Sequence, residues 1–230
     1  MNKDRVYLRL ITAADTTKIV TWRNRDFVRK NFIYQKPFTE EGHLAWFHEQ
    51  VEPGQVAQFI ICVLNEKSTF PWEIGSVYLR DIDREAGTAE YGVFIGEKEA
   101  LGCGYGTAAA KLALAYGFET LHLQKIFLRF LEDNTGAGKS YEKAGFRMME
   151  DKKETVTLEQ GVRQVLIEIN ETDIAPLGEG FAEGGFPTAH VAYKEYCLHR
   201  IHSTFDRSFF NSSANLAIFS ALFSLSHQNS

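Results

Sequence analysis

The chain is poor in cysteine, with three in 230 residues, at Cys62, Cys103 and Cys197. An odd number at wide spacing makes neither a disulfide framework nor a CxxC pair, and a reducing cytoplasm is the simplest expectation. Positive charge is also short. Lys and Arg number 25 against 30 Asp and Glu, a net charge of −5, so the basic surplus of a nucleic-acid binder is missing. No segment reaches the roughly 18 apolar residues that a membrane span needs. The opening MNKDRVYLRL lacks an apolar stretch of signal-peptide length. His43 and His48 do not have the i, i+4 spacing of a helical metal pair, so they read as surface or substrate-pocket residues and no metal is expected. What remains is an ordinary globular composition, 44% hydrophobic and 24% charged. It is compatible with a monomer or homodimer that has no nucleic-acid or membrane partner.

Residues 5–11 alternate as a strand. Thr12, with Asp15 three positions on, marks a helix start that carries Ile19, Val20 and Trp22. A short helix follows over 26–33, and Thr39 with Glu40 and Glu41 opens a third, stopped by Pro53-Gly54. Strands are predicted at 58–64, 73–80 and 88–95, with a turn over 81–87. A glycine-rich loop, 102–106, runs into a helix over 107–120. A near-continuous apolar strand follows at 125–131, then a helix over 134–144 closed by Gly145, and a last hairpin over 146–158 and 162–169. After Asn170 the periodicity is lost. Two segments are expected: a catalytic domain over 1–170, and a disordered or weakly docked extension over 171–230.

The chemistry sits in one constellation. Leu101-Gly102-Cys103-Gly104-Tyr105-Gly106-Thr107 joins a strand to a helix N-terminus. Such a loop offers unpaired N–H groups and the positive end of a helix dipole, a ready pyrophosphate site. Gly104-x-Gly106-x-x-Ala109 also fits a dinucleotide fingerprint. It lies mid-chain, however, and Gln124 and Lys125 fall where the acidic residue belongs. Gly138-Lys139-Ser140 is a false P-loop, because Asp133 takes the place of its first glycine.

The loop is followed about 30 residues later by Asn134, Ala137, Tyr141, Lys143, Gly145 and Phe146. Together they resemble the GNAT superfamily of N-acetyltransferases over roughly residues 5–169. That family's loop has the form Arg/Gln-x-x-Gly-x-Gly/Ala, and its later pattern is Asn-x-x-Ala/Ser-x-x-x-Tyr-x-Lys-x-Gly-Phe. Leu101 stands at the Arg/Gln position, which removes one side-chain contact to phosphate. The resemblance implies an α/β fold of α+β type: a mixed, mostly antiparallel sheet splayed between strands 4 and 5, with flanking helices. It further implies acetyl-CoA as co-substrate, lying along Val93, Phe94 and Ile95 with its pyrophosphate on residues 101–107. Asn134 and Ala137 would form the opposite wall.

The attacking amine must be neutral, and an alkylamine has a pKa near 10.4. A base or a proton-conducting water is therefore useful. Attack on the thioester creates an oxyanion, which an N–H near Phe94 would stabilise. Tyr141 is the candidate acid for the leaving thiolate, by resemblance. Glu90 is a candidate base, and alternation turns it away from Tyr91. Both residues also fit blander roles, a core aromatic and an exposed strand carboxylate.

Through Trp22-Arg23-Asn24, Val28-Arg29-Lys30 and His43-Leu44-Ala45-Trp46-Phe47, the N-terminal third resembles two branches, UDP-amino-sugar acetyltransferases of pseudaminic acid synthesis and ribosomal-protein alanine acetyltransferases. Trp22, Arg23, Asn24, Tyr34 and Trp46 are the candidate acceptor residues, with Arg25, Arg29 and Phe38 nearby; Trp22 and Trp46 equally fit a core. A nucleotide-linked amino sugar is the first expectation for the acceptor. A protein N-terminus and a polyamine are the alternatives. Beyond these stand a non-catalytic acetyl-CoA binder and, more distantly, an NAD-binding protein.

Overall fold

The computed structural model describes residues 4–65, 68, 70–158 and 161–171. The expected extension over 171–230 lies outside the described residues, apart from Glu171, and so does Cys197.

Seven strands form one sheet in the order β1-β2-β3-β4-β5-β7-β6. They are β1 (Arg5–Leu10), β2 (Ala57–Leu64), β3 (Trp72–Asp83), β4 (Thr88–Ile95), β5 (Lys125–Leu131), β6 (Arg147–Leu158) and β7 (Gly161–Glu171). Every neighbouring pair is antiparallel except β4–β5. Strands β4 and β5 fall where their apolar patterns place them. The predicted turn at 81–87 is shorter than expected, because β3 continues through Ile82, which is buried.

Helices α1 (Thr16–Asn24), α2 (Asp26–Arg29) and α3 (Glu40–Trp46) come before β2. Thr12 does start the first of these segments. Its N–H donates to Asp15 Oδ2 at 2.8 Å, and a 3-10 turn over Ala13–Asp15 leads into α1. Thr39 caps α3 by accepting from the Gly42 N–H at 3.1 Å. Helix α4 (Tyr105–Ala115) begins two residues earlier than expected and widens into a π turn over Tyr116–Thr120. The reason is that Gly104, in the left-handed region, supplies the cap itself. Helix α5 (Thr135–Ala144) has Asn134 at its N-cap and Gly145, φ +100°, at its C-terminal end.

Period-two alternation gives the sheet two apolar faces. One carries Phe59, Ile61, Val77, Leu79, Tyr91 and Leu128 against α4 and α5. The other carries Ile60, Cys62 and Phe94 against Ile19, Trp22, Val28 and Phe47. Burying each large aliphatic side chain contributes about 1.5–3 kcal/mol. That burial holds the helices in place on both sides of the β4–β5 junction. No helix among the described residues is long and apolar enough to cross a membrane.

Candidate active site

Strands β4 and β5 pair only from Thr88↔Lys125 to Tyr91↔Leu128. Beyond that point β4 stays on β3 as far as Ile95, while β5 stays on β7 as far as Leu131. The strands therefore part, and residues 92–95 present one backbone edge to the gap. Val93 and Ile95 pack on the α4 side, whereas Phe94 turns to the opposite face, edge-on to Trp22 and Phe32. An extended pantetheine arm can pair with such an edge as an added strand does.

The glycine loop opens onto the same region. Gly102 and Gly104 have φ of +75° and +84°, and a Cβ at either position would meet nothing within 4 Å. Glycine is required here by backbone conformation and leaves open space above the loop. Gly106 lies in the ordinary region, and its Cβ would rest 3.6 Å from Ser140 Oγ. Among the described residues, no backbone carbonyl accepts from the N–H groups of residues 102–107. These donors, at the N-terminus of an 11-residue helix, suit the pyrophosphate of acetyl-CoA. Leu101 is 47% exposed beside them. The Tyr105 side chain is directed elsewhere. Its hydroxyl donates to Asp4 at 2.5 Å, and that bond pushes its pKa up to about 12. Thr107 Oγ1 lies 2.8 Å from Ser140 Oγ, which ties α4 to α5.

Helix α5 forms the other wall. Asn134 accepts from the Ala137 N–H with one side-chain oxygen at 3.4 Å. Tyr141 lies where the strands begin to part, edge-on to Phe130 at 5.3 Å and to Tyr91 at 6.1 Å. Phe146 donates its N–H to the Tyr141 carbonyl at 3.0 Å, closing the helix directly below. Burial, then Tyr78 and Glu168, raise the Tyr141 pKa above the usual phenol value. The Tyr91 hydroxyl is sealed without a partner, but that of Tyr141 is not.

Glu90 is on the face away from Tyr91, as alternation requires, and is 6% exposed. It accepts from Arg80 Nη2 at 2.8 Å and from Arg129 Nη2 at 3.0 Å and Nε at 3.3 Å. Arg80 comes from β3 and Arg129 from β5, so these ion pairs bridge the strands on either side of β4.

The three residues Trp22-Arg23-Asn24 do three different things. Trp22 packs over Gly96, and its Nε1 donates to Glu97 at 2.7 Å. Asn24 makes two bonds to the Phe38 backbone, at 2.8 and 2.7 Å. Arg23 is buried with its guanidinium 3.4 Å from the Phe32 ring centroid and 4.5 Å from that of Phe38. Tyr34 is 57% exposed against Phe38. Trp46 is half-buried against His43. His43, expected at the surface or in a pocket, is buried instead, with Nδ1 3.1 Å from Thr16 Oγ1. It lies on the inward stripe of α3, which its spacing from Phe47 could have shown. Arg25 pairs with Glu97 and Arg29 with Asp26.

Tyr78 was not among the expected residues. It pairs with Gly92 across β3–β4, and a Cβ at Gly92 would fall 2.2 Å from its ring. A tyrosine facing a glycine across a predicted strand pair is the signal that would have found it.

A family model described as the acetyltransferase (GNAT) domain matches residues 5–147. The chain belongs to the GNAT acetyltransferase family. This GNAT chain is 28% identical over 144 residues to an uncharacterized protein of Methanocaldococcus jannaschii, covering 62% of this chain and 28% of the length of that relative. A crystallised domain from the same organism matches with TM-score 0.60 and 23% identity, covering 74% of this chain and 99% of that one. Spermidine N-acetyltransferase from Vibrio cholerae, in complex with CoA and spermine, matches with TM-score 0.64 and 22% identity, covering 72% and 95%. A dodecameric structure of the Vibrio cholerae enzyme matches with TM-score 0.59 and 22% identity, covering 72% and 93%.

Proposed function

We propose that this GNAT domain acetylates a primary amine on a small molecule at the mouth of the β4–β5 gap. The observation that carries the proposal is the convergence of three features there. They are the unpaired amides of residues 102–107, the open β4 edge over 92–95, and Tyr141 where the strands separate. Acetyl-CoA supplies an activated thioester. The amides of 102–107 hold its pyrophosphate, and the β4 edge aligns its arm. A β4 N–H near Phe94 faces the oxygen that gains negative charge. Tyr141 donates to the departing sulfur. With its phenol raised above the usual range, it acts as a hydrogen-bond donor whose proton moves only as the amine gives one up. The three guanidinium bonds to Glu90 give it the role of fixing Arg80 and Arg129, and water collects the amine proton.

Of the acceptor classes considered from sequence, a polyamine is the one on which named structural neighbours act. At about one-fifth identity that likeness concerns the fold alone. The test is an amine panel with acetyl-CoA, read as released CoA thiol. Amine-dependent thiol release is expected. Tight acetyl-CoA binding with no release for any primary amine would identify a binding protein and end the proposal.

A further inference from the structure

We infer that the amine accepted by this site also carries an anionic group, a carboxylate or a phosphate, which Arg23 binds. The inference rests on the proposed N-acetyltransferase reading and narrows its acceptor.

Arg23 is 6% exposed. Its guanidinium stacks on Phe32 and Phe38, and the Phe94 ring centroid lies 6.0 Å away. A guanidinium has five N–H donors, all lying in its plane. The rings lie against the group, and its N–H donors suit a planar or tetrahedral oxyanion. Among the described residues, no carboxylate pairs with Arg23 and no acceptor takes its donors. By contrast, buried Arg9 is held by Asp15 at 2.9 Å and by Glu73 at 2.6 Å. No Arg23 nitrogen is among the sealed side-chain atoms of the described residues, so the group opens onto accessible space. Burial without a counter-charge lowers the Arg23 pKa to about 10. A cation held this way is a costly arrangement, only partly offset by the aromatic rings. Its cost makes sense if a ligand supplies the missing charge.

The surroundings agree. Phe94, Gly92 and Glu90 lie on the same face of β4, with Tyr78 across from Gly92. Arg80 and Arg129 on that face are paired, Arg80 with Glu90 and Asp81 and Arg129 with Glu90 and Glu154, whereas Arg23 has no carboxylate partner among the described residues. The other acidic side chains near α1 are already engaged, Glu73 by Arg9 and Lys18, and Glu97 by Trp22 and Arg25. The uncompensated guanidinium of Arg23 repels a polyamine and attracts an anionic amine. Asn24 fixes Phe38 over the guanidinium through its two backbone bonds, so the cage is built.

The test titrates the full chain, saturated with CoA, with O-phosphoethanolamine, β-alanine, ethanolamine and spermidine. The same four amines are assayed with acetyl-CoA. At least one anionic amine is expected to bind about 100-fold more tightly than ethanolamine, the scale of one or two charged hydrogen bonds. Which of the two does so separates phosphate from carboxylate. Arg23→Met should abolish that preference, leave acetyl-CoA affinity unchanged and keep or raise Tm, because it removes an uncompensated buried charge. A structural arginine would instead give a lower Tm with the preference intact. Should Arg23→Met not fold, the wild-type comparison still decides. Spermidine binding tightest, or neither anionic amine binding better than ethanolamine, overturns the inference. Acetylation of amines without an anionic group in that case would leave the acetyltransferase reading standing.

Discussion

Tyr141 shows how an environment can change what a side chain does without changing its identity. In water a phenol is already a weaker acid than a thiol, by about 1.5 units. Packing among Tyr91, Phe130 and Phe146 widens that gap, because burial disfavours the phenolate. A free-standing proton transfer to sulfur is therefore uphill, and donation of a hydrogen bond remains. Tyr141→Phe keeps the ring contacts and removes only that donor. Turnover is expected to fall by about 10²-fold or more, with acetyl-CoA affinity and Tm within error of wild type. Stopped-flow thiol release and a binding titration check it, and a Phe variant with full turnover would show that the sulfur obtains its proton elsewhere. Glu90 could not be understood from its neighbours in sequence. Arg80 and Arg129 reach it from other strands, and no local pattern reports a partner on β5. Arg23 is the reverse case. Its position in Trp22-Arg23-Asn24 was legible, but the absence of a counter-ion is a property of the folded wall alone.

At the scale of elements, the sequence was most informative where local chemistry and the fold ask for the same thing. Strands β4 and β5 are each bounded by turns and largely apolar, and both ends of α5 are written in Asn134 and Gly145. The splay itself is not local. It follows from β5 continuing on β7 while β4 continues on β3, which only the assembled register shows. The loop before α4 falls between these cases. Its glycines were legible, but they serve different purposes. Gly102 and Gly104 are held in the left-handed region, whereas Gly106 has ordinary backbone geometry. Gly104→Val should therefore disturb the loop through φ strain, which for a β-branched residue costs of order 1–3 kcal/mol. Acetyl-CoA affinity is expected to fall at least tenfold. Gly106→Ala, with ordinary contact at Ser140, should fold normally. A calorimetric titration of both variants with acetyl-CoA tests the distinction, and a Gly104→Val protein that folds and binds like wild type would remove the loop from the site.

For the whole molecule, buried charge shapes stability against pH. Burial alone would raise Asp15 and Glu73, but Arg9 outweighs it for Asp15, and Lys18 with Arg9 outweighs it for Glu73; both end below their usual values. Their contribution is present above the unfolded values of 3.8 and 4.5 and is lost as pH falls through the lower folded ones. Glu168 on β7 has the opposite sign. Burial first, then Glu142, raise it from 4.5 to about 7, and its Oε2 has no partner. The folded chain then holds a proton that the unfolded chain has released, so stability is full below pH 4.5 and declines as pH rises to about 7. That shift corresponds to about 3 kcal/mol at neutral pH. His43 works against this trend. Burial lowers its pKa, so its contribution is lost as pH falls below 6.5, and the two partly cancel in the wild-type profile. The difference between Glu168→Gln and wild type isolates the carboxyl, because His43 is common to both. We expect that difference to rise from near zero around pH 4.5 to roughly 3 kcal/mol in favour of the glutamine above pH 7. Urea unfolding at a series of pH values measures it. A difference that does not change across the series would mean that Glu168 titrates alike in the folded and unfolded chains.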